Sequence, residues 1–403
     1  MRRLRGSVAT AVLRTLWFFF AISASAAAAD LAKVSLSYEQ TEDRSNFIAQ
    51  VIKARKGDVE SQWRVGDVYV QLGDSARAFP LLESAAATGH PRAATLLGWL
   101  CEVGSGTERN LGEAKRWYRQ AAERGDAQAM AALGRLLLKE NSMDARQAAR
   151  QLFQKSADLD DPGGQYHLGW LLASQEAGSR DDADALGWFV KAALQGHVGA
   201  QVATAIHLLS GRGATTDRKA AREWIERAVE SGDPVAHYLF GRLKESTPRD
   251  QRDLNGAQHS FRIAAAAGHR DAQFALAALL AQSPAVRDKK DALEWLVRAH
   301  ASGHKEAANR LGEMYRDGEG DLQQNEKARA IFESAARHGN VDAMYNLAQM
   351  LNEGLGGPRE TGDALKWYAQ AADEGHGKAM EVVEVLLGSS TKTSALGFKG
   401  FWQ

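Results

Sequence analysis

The chain has a single cysteine, Cys101, among its 403 residues. One thiol excludes an intrachain disulfide framework and every metal site that needs two or more cysteines. The sequence also lacks an excess of positive or negative charge, because 50 basic side chains balance 50 acidic ones. This balance argues against a protein that binds nucleic acid through a general positive field. We therefore expect no nucleic-acid partner.

Motifs for catalysis and nucleotide binding are absent as well. The sequence contains no Gly-x-x-x-x-Gly-Lys-(Ser/Thr) loop, no Gly-x-Ser-x-Gly elbow and no His-Glu-x-x-His pair. Cys101 falls on an apolar face of a predicted helix, which is typical of a buried small hydrophobe rather than a nucleophile. We predict that the protein is not an enzyme and uses no cofactor.

Residues 1–29 show the order of features found in a secretory signal peptide. Three arginines in the first five residues precede an apolar stretch that is densest at Leu16–Ile22, and small residues follow up to Ala29. Arg14 interrupts the apolar run, which leaves too few residues to span roughly 30 Å of hydrocarbon. We predict cleavage near Ala29, no membrane span in the mature chain, and periplasmic or secreted localisation. A retained anchor helix is the alternative.

One phrase, Ala-Ala-x-x-Gly-(His/Asp)-x-x-Ala-x-x-x-Leu-Gly, recurs through most of the remaining sequence. We call its central glycine the anchor. Asp160 is the only anchor that is not glycine. Regular recurrence over ten units indicates a stack of structural repeats rather than several globular domains. The anchors are residues 57, 89, 125, 160, 196, 232, 268, 303, 339 and 375.

Each repeat is predicted to hold two helices, helix A after the anchor and helix B before the next one. In the repeat that starts at Gly89, helix A is expected at Pro91–Glu102 and helix B at Leu111–Arg124. One such hairpin cannot bury its apolar face alone, so neighbouring hairpins must stack. The predicted fold class is all-α, an α-solenoid of about ten stacked helix-turn-helix repeats over residues 57–388. Suitable N-caps of helix A are Asp58, Asp126, Asp161, Asp233 and Asn340.

Five of the eleven histidines share one repeat position, directly after the anchor. Equivalent positions in stacked repeats lie near 10 Å apart. A zinc ion needs its ligand nitrogens about 2 Å away. The row therefore predicts no metal site, and we expect these side chains to act at helix starts, as aspartate and asparagine do elsewhere. The five are His90, His197, His269, His304 and His376.

Two segments, Gly318–Gly320 and Leu365–Gly375, resemble the Sel1-like repeat, a relative of the tetratricopeptide repeat. The resemblance covers about residues 57–388. It implies adaptor or scaffold work, often in secreted or periplasmic bacterial proteins, with other proteins or peptides as partners. The glycine loop of the family is missing around Asn141–Met143 and Gln282–Pro284, where we expect shorter or altered turns between helices A and B.

Helix A carries the candidate partner-binding residues. The sixth, tenth and thirteenth residues after each anchor point away from the apolar positions. Because helix A lines the concave side of helix-pair solenoids, these positions form a candidate groove, and aromatic and arginine side chains anchor protein interfaces. The alternative is that they pack between adjacent A helices. The candidates are Trp63, Trp99, Tyr166, Trp170, Tyr238, Arg242, Phe274 and Tyr345.

The two ends depart from the repeat. Residues 30–56 are predicted to form an N-terminal capping helix that includes Phe47–Ile52. Residues 389–403 are predicted to be a flexible tail, polar and then aromatic, which either folds back over the last repeat or serves as a docking peptide.

The sequence predicts an exported protein–protein interaction scaffold or regulator of a bacterial envelope process. Polysaccharide export, sensor regulation and cell-wall assembly are the candidate processes, and the oligomeric state stays open. One alternative is a cell-wall or β-lactam hydrolase; the family members associated with β-lactams are rich in cysteine, unlike this chain. The other alternative is a secreted effector that binds host proteins.

Overall fold

The described residues of the computed structural model form twenty α-helices and no β-strand, so the predicted all-α repeat fold is confirmed. The predicted signal peptide at 1–29 and the predicted tail at 389–403 lie outside the described residues. Within the described part of the chain, no helix is both long and apolar enough to cross a membrane. The described residues are 41–140, 142–174, 179–246, 253–318 and 323–387.

The chain divides into two compact units, and the first ends at Ser231. The first unit comprises α1 Thr41–Arg55, α2 Val59–Gln71, α3 Ser75–Ala87, α4 Pro91–Val103, α5 Leu111–Glu123, α6 Ala127–Leu138, α7 Met143–Asp158, α8 Pro162–Ala173, α9 Ser179–Leu194, α10 Val198–Ser210 and α11 Arg218–Glu230. From α2 onward, even-numbered helices are A helices and odd-numbered helices are B helices; α1 precedes the first repeat.

The second unit begins at Gly232 and alternates in the same way. It comprises α12 Pro234–Glu245, α13 Leu254–Ala266, α14 Arg270–Ala281, α15 Val286–Ala301, α16 Ala307–Asp317, α17 Asn325–Arg337, α18 Val341–Glu353, α19 Thr361–Asp373 and α20 Gly377–Leu387.

Five A helices begin at the aspartate or asparagine caps that the sequence predicts. Each cap oxygen accepts a hydrogen bond, 2.7–2.9 Å long, from the backbone N–H three residues later. Such a bond satisfies one of the N–H groups that a helix start leaves without an intrahelical partner. The five confirmed caps are Asp58, Asp126, Asp161, Asp233 and Asn340.

The anchors end the B helices in the left-handed conformation. The nine anchor glycines have φ between 74° and 98°. Asp160 takes the same conformation with φ 61°, and it is the only residue other than glycine with positive φ in the described chain. Its Oδ1 accepts hydrogen bonds from the amides of Gln165 (2.7 Å) and Gln195 (3.2 Å). Aspartate tolerates this backbone better than most residues because its short polar side chain bonds locally.

The two repeats without a glycine loop have the shorter turns that the sequence predicts. Four residues, 139–142 and 282–285, join helices A and B there. Seven residues, 104–110, make the same connection in a repeat that has the loop.

Helices A and B of one repeat pack through a glycine on A and a large side chain on B. A Cβ added to Gly134 of α6 would lie 2.6 Å from the ring of Phe153 on α7, so only glycine fits at this approach. The Phe153 ring is fully buried. The same contact recurs at Gly98–Tyr118, Gly169–Phe189, Gly241–Phe261 and Gly312–Phe332.

The first described helix, α1, packs against α2, and the ring of Phe47 meets that of Tyr69 edge-on with centroids 6.1 Å apart. The outer face of α1 leaves Ile48 and Ile52 half exposed. Of the predicted capping helix at 30–56, residues 30–40 lie outside the described residues, and the capping role of the rest stays a prediction.

Candidate functional site

All eight predicted groove residues lie on A helices, and the structure separates them into two groups. Five occupy the sixth position after an anchor, and the other three occupy the tenth position. We call the surface formed by these two positions the A face. The sixth-position residues are Trp63, Tyr166, Tyr238, Phe274 and Tyr345, and the tenth-position residues are Trp99, Trp170 and Arg242.

Every sixth-position candidate stacks on the histidine that follows the next anchor. The ring centroids lie 4.2–5.2 Å apart and the planes are within 26° of parallel. The aromatic ring therefore fills the space between successive A helices, as the alternative interpretation of the groove residues expects. The pairs are Trp63–His90, Tyr166–His197, Tyr238–His269, Phe274–His304 and Tyr345–His376.

Four of these histidines also cap the helix that they precede. In each case Nδ1 accepts a hydrogen bond of 3.1–3.2 Å from the backbone N–H three residues later. The predicted role of the histidines at helix starts is confirmed for these four, which are His90, His197, His269 and His376. His304 differs, because α16 begins three residues after it and its Nδ1 lies 3.2 Å from the Glu306 carboxylate.

The aromatic residue and the histidine occur together along the chain. Each of the five histidines that directly follow an anchor comes after a repeat whose sixth residue is aromatic. Repeats that precede an aspartate or asparagine cap have a non-aromatic residue there: Thr95 before Asp126, Ala131 before Asp161, Val202 before Asp233 and Asn309 before Asn340. The imidazole is flat and large enough to cover a neighbouring ring, whereas a carboxylate or amide cap is not. The pairing of an aromatic sixth residue with a histidine after the next anchor is therefore visible in the sequence when the two positions are compared.

The tenth-position residues present more side chain to solvent. Trp170 on α8 is 46% exposed, and Ile206, at the same position of α10, is 40% exposed. Neither α8 nor α10 contains a charged residue. Trp99 on α4 is half-buried against the core of the first unit. Trp170 and Ile206 therefore form the most exposed apolar part of the A face in this unit, and the sequence prediction named only the tryptophan.

A partly buried ion pair joins helices α4 and α6. Arg135 on α6 donates to both carboxylate oxygens of Glu102 on α4, at 2.7 and 2.6 Å, and the hydroxyl of Tyr118 donates to the same carboxylate at 3.2 Å. Burial opposes the charge on Glu102, but the Arg135 guanidinium outweighs it and holds the pKa of the carboxyl below its usual range. This pair neutralises the one arginine at the tenth position in the first unit.

In the second unit, Arg242 is exposed and lies 3.6 Å from Glu245 on the same helix. An exposed pair of this length restrains the guanidinium weakly. Arg242 is therefore open to a partner, but the structure places no exposed large aromatic side chain at the tenth position of this unit's described A helices.

Two further features concern metal and thiol chemistry. Within the described ranges, no three histidine, cysteine, aspartate or glutamate side chains come together as a metal site would require. Cys101 is buried, as the sequence predicts, and burial raises the pKa of its thiol. A raised thiol pKa disfavours the thiolate that a nucleophile needs.

Comparisons with known proteins agree with the repeat architecture. The crystal structure of a protective antigen present in uropathogenic Escherichia coli strains has a TM-score of 0.63 and 25% sequence identity, covering 82% of this chain and 72% of the antigen. An uncharacterised protein of Neisseria meningitidis serogroup B is 28% identical over 338 residues, or 76% of this chain and 70% of the relative.

A shorter similarity extends to fungi. The chitin synthase regulator of Saccharomyces cerevisiae is 30% identical over 91 residues, which cover 23% of this chain and only 13% of the regulator.

The family model for the Sel1 repeat matches seven segments, which lie in both units. These are residues 91–126, 127–161, 162–197, 198–233, 270–304, 305–340 and 341–376. Together they make up more than half of the sequence, and their boundaries follow the anchors. The chain therefore belongs to the Sel1 repeat family.

Proposed function

We propose that this protein is an exported scaffold that binds a protein partner on the A face of its first unit, around Trp170. The observation that carries the proposal is the exposure of Trp170 and Ile206 on two successive A helices without a charged residue. Large apolar side chains on a rigid, exposed surface are typical of protein interfaces. The partner segment that fits them is apolar or aromatic.

The five stacked aromatics have a supporting role in this proposal. Their ring faces are engaged by histidines, so they hold successive A helices in register beneath the exposed residues. Their partner contacts stay a prediction. Trp170 is the better probe of binding because its truncation disturbs less packing.

The expected result of Trp170→Ala is a loss of partner affinity of about 2 kcal/mol, or roughly thirtyfold in Kd. The free energy of unfolding should fall by clearly less than the roughly 3–5 kcal/mol of a fully buried tryptophan, because nearly half of the side chain is exposed. The partner is first captured with the mature chain from an envelope extract and identified. Its affinity is then measured by calorimetry with purified proteins.

Leu194→Ala is the matched control, since Leu194 is exposed at the end of a B helix. Its affinity should equal that of the unsubstituted protein. If both variants bind with unchanged affinity, the A face of the first unit is not the binding surface.

The proposed site of action is the bacterial envelope, where the protein would regulate polysaccharide export, a sensor or cell-wall assembly. Residues 1–29 support export by their charge, apolar core and small-residue order. The similarity to a chitin synthase regulator, short as it is, supports a regulatory role toward an enzyme of polysaccharide synthesis.

Export has its own expected result. N-terminal sequencing of the protein purified from cells should start near Asp30, and fractionation should recover it from the periplasm. Recovery from the culture medium would favour the secreted-effector alternative. A chain that keeps Met1 in the membrane pellet would contradict cleavage.

A further inference from the structure

A histidine cap works only when its imidazole is neutral. The Nδ1 atom of His197 accepts the N–H of Ala200 at 3.1 Å and so caps α10. An imidazolium carries hydrogen on both ring nitrogens and cannot accept this bond. The aspartate caps Asp126 and Asp161 keep their acceptor oxygens until the carboxylate itself is protonated. The repeats therefore contain two kinds of cap, with different responses to acid.

Two histidines at or beside the junction between α8 and α10 are stacked on aromatic rings, one at the junction itself and one between α7 and α8. His197 lies on Tyr166, with centroids 4.6 Å apart, and His167 lies on Phe153, with centroids 5.1 Å apart. Tyr166 and His167 are consecutive on α8, so both stacks contact the helix that carries Trp170. Disturbing this junction changes the support of the exposed tryptophan.

Charged groups from α6 and α11 lie near the junction, and the one on α6 opposes protonation of His167. Arg135 of α6 and His197 both act on His167. On the other side, α11 contributes Trp224, which packs in the cluster of Tyr166 and carries the Arg227 guanidinium over its ring at 4.6 Å. Burial lowers the pKa of His197 to about 4, and burial together with the positive neighbours lowers that of His167 to about 3.

We propose that the α8–α10 junction is an acid-sensitive hinge, in which protonation of His197 releases the cap of α10, protonation of His167 on α8 adds to the opening, and partner binding at Trp170 weakens. The second half of this proposal rests on the proposed function of the A face. An opened junction exposes both imidazoles to water, where they titrate near pH 6.5. Because the closed state holds protons less tightly than the open one, the junction is most stable above that pH. Closure weakens about tenfold per pH unit for each histidine as the pH falls from 6.5 toward 4.

Hydrogen exchange measures the hinge directly. Mass spectrometry of the full chain at pH 7.5 and pH 5.0 should show at least a tenfold drop in the protection factors of the first turn of α10. The first turn of α6, which Asp126 caps, is the internal control and should keep its protection. Equal pH dependence of the two turns would overturn the hinge.

The sequence itself supplies a matched variant. Tyr166→Ala with His197→Asp rebuilds the kind of junction that Ala131 and Asp161 make one repeat earlier. This double variant should lose most of the pH dependence of α10 protection while staying folded at pH 7.5. An undiminished pH dependence would show that His197 does not operate the hinge.

The binding consequence is tested with the partner identified above. Affinity for the unsubstituted protein should fall at least tenfold from pH 7.5 to pH 5.0, and the fall should be much smaller for the double variant. Loss of α10 protection without loss of affinity would refute control of binding but leave the hinge. Insensitivity of binding to Trp170→Ala at pH 7.5 would instead refute the proposed function.

Discussion

Gly134→Ala is expected to lower the free energy of unfolding of the first unit by about 1–2 kcal/mol. The new Cβ would lie 2.6 Å from one ring carbon of Phe153 and 3.0 Å from two others. The ring cannot move aside easily, because it is fully buried in a cluster with Leu168 and Phe189. Overpacking of this kind costs about 1–3 kcal/mol or more. It outweighs the gain of up to about 1 kcal/mol that alanine brings to a helix interior.

Gly187→Ala is the control for this substitution. Gly187 lies inside α9, and an added Cβ would have no neighbour within 4 Å. We expect this variant to be more stable than the parent by about 0.5–1 kcal/mol. Adding Phe153→Leu to Gly134→Ala should recover part of the loss, because it removes the ring atoms that clash. Urea denaturation of the parent, Gly134→Ala, Phe153→Leu and the double variant gives the coupling, and additive effects would contradict the tight A–B contact.

The positions of the helices could be predicted from the sequence because each repeat carries the same signals for helix starts and helix ends. For the repeat that starts at Gly89, the predicted ends Pro91–Glu102 and Leu111–Arg124 differ from the observed helices by one residue at the C-terminal ends. Glycine in the left-handed conformation and aspartate at the N-cap are local requirements, readable without tertiary structure. Asp160 fits the anchor pattern only because its neighbours fix the register.

The function of the sixth-position aromatics was harder to predict from the sequence. Helical periodicity predicted that Tyr166 and Tyr345 point away from the core of their own repeat, whereas in the structure each ring also meets a buried ring of that repeat: Tyr166 lies 5.9 Å from Phe189, and Tyr345 lies 5.6 Å from Tyr368. Periodicity could not show that the histidine of the next repeat covers each ring, because the rotation between repeats is a tertiary property. The stacked histidine covers one face of the ring in five of the eight candidates, and their contact with a partner stays a prediction. The co-occurrence of aromatic residue and histidine was the available signal.

The ion pair of Glu102 and Arg135 also depends on the packing of successive repeats. The two residues are 33 positions apart and occupy different repeat positions, so no motif within one repeat reveals them. The sequence contains 50 basic and 50 acidic residues, so the pairing of Glu102 with Arg135 is one of many possible combinations. The structure shows that it is the charged contact most protected from water between α4 and α6, since the Glu102 side chain is only 10% exposed.

Glu102→Gln is expected to lower the free energy of unfolding of the first unit by about 2–3 kcal/mol at pH 7. The amide keeps the size of the side chain but leaves the Arg135 guanidinium partly buried without its counter-charge. Removing one partner of a buried pair costs about 3–5 kcal/mol, and the partial exposure of Arg135 reduces that figure. The hydroxyl of Tyr118 keeps an acceptor in the new amide, so its bond contributes little to the loss.

Two comparisons show whether the loss comes from the unpaired charge. Glu226→Gln removes one partner of the exposed pair with Arg222 in α11 and should cost less than about 0.5 kcal/mol. Glu102→Leu with Arg135→Leu and Tyr118→Phe removes both charges of the protected pair together with the buried hydroxyl that donates to Glu102, and its stability should lie within about 1 kcal/mol of the parent. Thermal and urea unfolding of each variant give these values. If this triple variant is as unstable as Glu102→Gln, the pair stabilises the unit by its own attraction, and the unpaired Arg135 is not the cause of the loss.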